Sequence, residues 1–134
     1  MLDKYLVILA VGAFIVDHSG KVLIVKKSLA EKIDGGLWTI PGGKVDPPET
    51  ILDGLMREVK EEVSLEITID RWLGEDVFSS AGHFYHAQHF MCHKVGGIVK
   101  LEPKLLEYRW IGKNEVNNFK FPTNIKNRIL EILI

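Results

Sequence analysis

The segment Gly42–Leu65, GGKVDPPETILDGLMREVKEEVSL, constrains the chain more than any other, because it joins a loop few sequences could follow to a helix charged along one side. Pro41-Gly42-Gly43 permits a backbone close to its neighbours, and Asp46-Pro47-Pro48 is extended or turning, so a helix begins only after Pro48. From Thr50 onward Leu52, Leu55, Met56, Val59 and Val63 recur at three- and four-residue spacing. At about 100° per residue they form one apolar stripe, predicted to be the buried face.

On the same wheel Glu58, Glu61 and Glu62 fall within a wedge of about 100°, beside the stripe and outside it. Like charges at this spacing oppose the helix by a few tenths of a kcal/mol per pair, and neither Lys60 nor Arg57 projects into the wedge to offset them. A hard divalent cation would, since magnesium uses one or two carboxylates together with water and phosphate oxygens. An ordinary solvated acidic face has the same composition and is the competing reading.

The full spacing resembles the Nudix box, Gly-x5-Glu-x7-Arg-Glu-U-x-Glu-Glu-x-Gly-U with U aliphatic. Over residues 43–65, Gly43, Glu49, Arg57, Glu58, Val59, Glu61, Glu62 and Leu65 occupy their places, and Ser64 stands where the pattern has its second Gly. A Walker phosphate loop at Gly42-Gly43-Lys44 is excluded, because Val45 follows the Lys and Trp38 stands at the first Gly position.

A chain of 134 residues with 46% apolar residues fits one domain, 1–134, with one proper core. Its net charge of −1, from 17 basic and 18 acidic residues, argues against a stable nucleic-acid footprint but leaves room for a small phosphorylated ligand. A single Cys92 excludes an internal disulfide, and no run of 18 apolar residues or charged-then-apolar leader is present. The expectation is a cytoplasmic protein with no membrane partner, monomer or homodimer.

In chain order, Tyr5–Val16 and Lys21–Lys27 read as strands around the turn Asp17-His18-Ser19-Gly20, followed by a polar loop over Ser28–Gly36 and a short strand at Leu37–Ile40. After the box, Leu65–Trp72 and Glu75–Phe78 read as one long or broken strand. The turn Ser79-Ser80-Ala81-Gly82 returns Phe84–Lys94 antiparallel, with Gly96 and Gly97 ending it. Leu106–Ile111 is a further strand, Lys113–Val116 a short helix, and Pro122 opens a helix through Leu133 that buries Ile125, Ile129, Leu130 and Leu133. The class is α/β. The family resemblance implies the Nudix fold, a mixed sheet sandwiched between helices (α/β/α).

The resemblance further implies that Glu58, Glu61 and Glu62 coordinate magnesium, or manganese in its place, with the Gly43 carbonyl as another ligand. Glu49 and Arg57 are then an ion pair fixing loop against helix, a task suited to the Arg fork. Glu61 or Glu62 is the expected base. The expected reaction is hydrolysis of a phosphoanhydride in a nucleoside diphosphate linked to another moiety, above all a nucleoside triphosphate cleaved to monophosphate and pyrophosphate. Phe121-Pro122-Thr123-Asn124 is similar to the Phe-Pro-x-x-Asn segment with which MutT-like members hold a purine, one residue shorter here. Phe121 and Asn124 are therefore candidate base contacts and Lys27 a candidate phosphate contact, against the alternative that Asn124 caps the helix or faces solvent. ADP-ribose or dinucleoside polyphosphates are alternative substrates, although no downstream Pro marks the former and Tyr85 lies too far past the box for the latter. A non-catalytic nucleotide-binding module is the alternative class; it would not need three repelling carboxylates. His83, His86, His89, His93 and Cys92 suggest zinc, but strand alternation sends His86 and Cys92 to the face opposite the others.

Overall fold

A computed structural model describes residues 5–133. Its centre is β1 (Val7–Val16), which pairs in parallel with β6 (His83–Gly96) along its whole length, from Val7↔Phe84 to Val16↔His93. β5 (Glu66–Ser80) lies outside β6, antiparallel to it. On its other side β1 meets β2 (Val22–Lys27) only at Val16↔Val22, beyond the turn at Asp17–Gly20. β2 instead pairs with β7 (Leu105–Ile111) and with the two-residue β3 (Trp38–Thr39). The edge of β1 that β2 leaves open is taken by β4 (Gly42–Lys44), with Val11↔Gly43 and Gly12↔Gly42 opposite each other.

Each face of this sheet carries a helix and its own core. The first core places Val11, Ala13 and Ile15 of β1, with Phe90 and Cys92 of β6, against Leu55, Val59 and Val63 of α1 (Ile51–Val63). The second places the alternate residues Phe14 and Val16, with Val22 and Ile24, against Ile125, Ile129 and Ile132 of α2 (Thr123–Ile132). A strand buried on both sides must be apolar at every position, which is why β1 and β2 read as continuous apolar runs. The expected α/β/α sandwich is the observed architecture.

Several local expectations are corrected. β5 is the one long strand of the two forms expected, with register shifts between Glu66 and Ile67, Ile69 and Arg71, and Trp72 and Gly74, but it also includes Ser79 and Ser80. The turn is only Ala81-Gly82, both at positive φ, as a two-residue hairpin turn requires. The short helix is a 3-10 helix over Lys113–Asn118. In α2 Leu130 is 38% exposed and Ile132 takes its place in the core.

The largest correction concerns α1. Leu52 and Met56 are 45% and 48% exposed, whereas Glu58 and Glu62 are buried with Leu55, Val59 and Val63. The helix is turned so that its carboxylates, and not its second row of apolar residues, face β4. A glycine pair makes this close approach feasible: a Cβ on Gly42 would collide with the Val11 carbonyl, and one on Gly43 with the Glu58 carboxylate.

Candidate active site

A cleft of about 710 Å³ opens at the β4–α1 junction, a volume typical of small-ligand sites. The ladder from β1 fixes its floor: Ala13 N–H donates to the Pro41 carbonyl at 2.8 Å and Val45 N–H to the Leu9 carbonyl at 2.9 Å, on either side of the paired glycines. Thr50 caps α1, its Oγ1 accepting from Asp53 N–H at 3.1 Å. At the other end Ser64 takes the left-handed conformation, φ 61°, where the family pattern has glycine. Its hydroxyl donates to the Lys100 carbonyl at 3.3 Å. Lys100 N–H and Glu102 N–H bind the Val63 and Glu62 carbonyls, so the segment that follows β6 closes the helix and delivers Lys104 to the cleft.

The structure brings Gly43, Glu58, Glu62, Lys27 and Asn124 together as lining residues of this cleft. Glu62 Oε1 accepts from Gly42 N–H at 2.6 Å, while Oε2 lies 3.5 Å from Lys104 Nζ. Burial pushes the Glu62 carboxyl up to about 7 against those two contacts, and burial likewise raises Glu58. Glu61 is apart: its side chain is 54% exposed and does not line the cleft.

Arg57 does reach the acidic wedge, contrary to the helical-wheel expectation. Nη1 lies 3.1 Å from both Glu58 Oε1 and Glu61 Oε2, while Nη2 reaches Glu49 Oε1 at 2.6 Å and the Lys44 carbonyl at 3.0 Å. A wheel places Cβ atoms, whereas a guanidinium on a three-carbon stem turns back across its own helix. The ion pair with Glu49 holds that carboxyl down at about 2 and raises the guanidinium further.

Lys27 Nζ donates to the Ile33 carbonyl at 2.9 Å, tying β2 to the loop that follows it. Phe121 is not in the cleft. It packs in the second core, 6.3 Å from the Phe119 ring, because the chain turns it inward before α2 starts. Asn124 is no helix cap, as α2 has no side-chain cap; its Nδ2 donates to Asp76 Oδ2 at 2.6 Å.

That bond reveals a second cluster, joining Asn124 and His89 to Asp76 and Arg128, that sequence reading did not assemble. Asp76 Oδ1 is 3.2 Å from Arg128 Nη2, and Asp76 Oδ2 is 3.2 Å from Nδ1 of the buried His89, outside good hydrogen-bond alignment. Burial pushes His89 down to about 4 despite Asp76, so it is neutral near pH 7. The bonds from Asn124 and Arg128 outweigh burial at Asp76 and lower its carboxyl. Beside them Phe78 and Tyr85 stack at 4.9 Å with planes 4° apart. Only the cross-strand register, Phe78↔Tyr85 and Asp76↔Ala87, would have joined these positions in advance.

The donor chemistry fits a hard divalent cation. Glu58 and Glu62 are carboxylates one turn apart, buried where their charge is costly, and the Gly43 backbone packs against the Glu58 carboxylate. Among the described residues no three acidic, His or Cys side chains converge, and Arg57 and Lys104 pair with Glu58 and Glu62. A two-carboxylate site completed by water and phosphate oxygens is the magnesium pattern. The remaining histidines are dispersed: His86 pairs with Glu75 and His93 with Asp70, each at 3.4 Å, while Cys92 is buried in the first core. No helix of the described residues is long and apolar enough to cross a membrane.

Comparison with known proteins accords with this geometry. The chain is 33% identical over 76 residues to a CTP pyrophosphohydrolase of Escherichia coli (strain K12), covering 57% of this chain and 56% of that protein. It is 37% identical over 68 residues to an 8-oxo-dGTP diphosphatase of Proteus vulgaris, covering 51% and 59%. The matches thus span little more than half the length of these relatives. The MutT protein from Methanosarcina mazei Go1 superimposes with a TM-score of 0.83 at 26% identity, over 98% of this chain and 96% of that one. The family model for the NUDIX domain matches residues 7–131, nearly the whole described fold, and the chain belongs to the NUDIX family.

Proposed function

We propose that the protein is a divalent-cation-dependent hydrolase of a nucleoside diphosphate linked to another moiety, with nucleoside triphosphates, cleaved to monophosphate and pyrophosphate, as its substrates. The observation that carries this reading is one cleft lined both by the buried carboxylates Glu58 and Glu62 and by the amide and aromatic groups Asn124, Phe78 and Tyr85. The first set suits a cation and phosphate oxygens, the second a base.

Glu58 and Glu62, with the Gly43 carbonyl and with Glu61 once it leaves Arg57, would hold magnesium or manganese. When bound, that cation supplies charge neutralisation on the phosphate oxygens and acidifies water. The chain's own residues do the rest. Arg57 and Glu49 keep the loop closed on α1. Lys104 and Lys27 supply positive charge to the phosphate chain. Glu61 or Glu62 accepts the proton of the attacking water, which adds to phosphorus as the pyrophosphate oxygen departs.

Purified protein assayed against a panel of nucleotides, with pyrophosphate and phosphate quantified separately and with and without chelator, tests the reading. Pyrophosphate release that chelator abolishes is expected. Release of neither product from any triphosphate, or full activity in chelator, would refute it.

A further inference from the structure

Asp76 makes contacts that the hydrolysis itself does not need. One carboxylate oxygen meets Arg128 and the other meets Asn124 and His89. The Arg128 guanidinium is itself fixed, with Nη1 donating to the Leu73 carbonyl at 2.9 Å. Room for it comes from Gly74, at the last register shift of β5, where a Cβ would collide with the guanidinium. Asp76 is thus an oriented acceptor pair, anchored on one side and facing two cleft side chains on the other.

Those two side chains have ambiguous polarity until a neighbour decides it. An amide can present either end, and a neutral imidazole carries its proton on either nitrogen. Against Asp76 Oδ2 only one choice is stable for each. Asn124 must turn Nδ2 toward the carboxylate, which leaves Oδ1 and one N–H free. His89, neutral in its buried setting, has Nδ1 3.2 Å from that oxygen. The contact is poorly aligned for a hydrogen bond, but a lone pair there would face the carboxylate charge, so the proton belongs on Nδ1 and Nε2 is left as an acceptor. Gly12 keeps that nitrogen uncovered, since a Cβ there would lie 2.8 Å from Cδ2 and 3.3 Å from Nε2. Among the described residues no group bonds Nε2, and both His89 and Asn124 line the cleft.

We propose that Asp76 is a specificity-determining positioning residue: by fixing Asn124 and His89 it presents two acceptors in the cleft, Asn124 Oδ1 and His89 Nε2, which select a base bearing an exocyclic amine. The inference rests on the nucleotide-hydrolase reading for the identity of the ligand, but not for the state of the side chains. The aromatic pair Phe78–Tyr85 provides a stacking surface for any base, so selection falls to the polar groups.

Asp76→Asn tests it, because the new amide has one oxygen to share. The charge-assisted bond to the fixed Arg128 takes that oxygen. The new Nδ2 then faces Asn124 and His89, turning the Asn124 amide over and moving the His89 proton to Nε2. Two acceptors become donors. Nitrogen-15 NMR of the ring should show Nδ1–H in the wild-type protein and Nε2–H in the variant. In steady-state assays the wild-type protein should favour GTP over ITP, which lacks only the 2-amino group, and CTP over UTP, by about tenfold or more in kcat/KM. Asp76→Asn should erase or invert both ratios.

A residue that merely stabilised the fold would lower Tm and leave tautomer and ratios unchanged, and that result overturns the proposal. So does an Nε2–H ring in the wild-type protein, a measurement that needs no variant to fold. A wild-type protein inert toward every nucleotide would sink the hydrolase reading instead, while the NMR result still decides the role of Asp76.

Discussion

The cleft is built by two clusters made in opposite ways. Gly42, Gly43, Glu49, Arg57, Glu58 and Glu62 come from one loop and the helix it feeds, so the longest reach among them, Gly42 N–H to Glu62, spans 20 positions. Asp76, His89, Asn124 and Arg128 come from β5, β6 and α2, and their bonds span 48 and 52 positions. The first cluster concentrates charge that a fold would otherwise avoid, and burial raises its Glu58 and Glu62 carboxyls. The second is balanced, with Asp76 set against Arg128 and the imidazole neutral. Reaction chemistry belongs where like charges are buried together, and recognition where a fixed carboxylate sets the polarity of its neighbours.

Removing one carboxylate from the first cluster should have the largest effect. Glu62→Gln keeps the shape and the acceptor for Gly42 N–H but removes a buried charge. Turnover should fall by about 10²–10³-fold, while thermal stability stays level or rises. Kinetics and a melting curve on the same preparation check this. Activity within a fewfold of wild type would move the reaction centre away from the box, and with it the division between the clusters.

Arg57→Lys tests how far the first cluster depends on geometry beyond charge. The guanidinium bridges Glu49, Glu58, Glu61 and the Lys44 carbonyl at once, which no ammonium can do. A loss of roughly 10–100-fold in kcat/KM, with base ranking unchanged, is the expected outcome. A changed GTP-to-ITP ratio would show that the two clusters are mechanically coupled.

The contrast also explains what was legible in the sequence. Gly43, Glu49, Arg57, Glu58 and Glu62 could be grouped because one turn of helix and one turn of chain fix their relation, whereas the single core expected from composition is two, one on each face of the sheet, because β1 is apolar on both sides. The helical wheel misplaced Leu52 and Met56 because it cannot tell which flank of a stripe meets the sheet. That is decided by the two glycines of β4, which let the carboxylate side approach. Phe121 packs against the second core and not in the cleft, a placement the motif could not supply because a short motif gives no side-chain direction. Asp76 carried no signal and His89 stood out only within a histidine run that suggested zinc, since the shifts of register in β5 set which residues reach the cleft. Ser64 met the left-handed conformation of the missing glycine with its own backbone.

The smallest effect separates the clusters by sign. Glu62 is raised to about 7 from an ordinary 4.5, so between those values the folded protein binds the proton and the unfolded chain does not. Its contribution to stability is full below 4.5 and lost as pH rises through 7. His89 is lowered to about 4 from 6.5, so there the unfolded chain binds the proton first. Its contribution is full above 6.5 and lost as pH falls through 4. Each slope is at most about 1.4 kcal/mol per pH unit, and between pH 4.5 and 6.5 they oppose each other. In chelator, urea unfolding of the wild-type protein should therefore vary little across that window. Glu62→Gln should expose the His89 slope, losing stability as pH falls, and His89→Gln should expose the Glu62 slope, gaining it. Two variants with the same pH slope would mean that burial does not govern both groups, and that the clusters are not the electrostatic opposites their contacts describe.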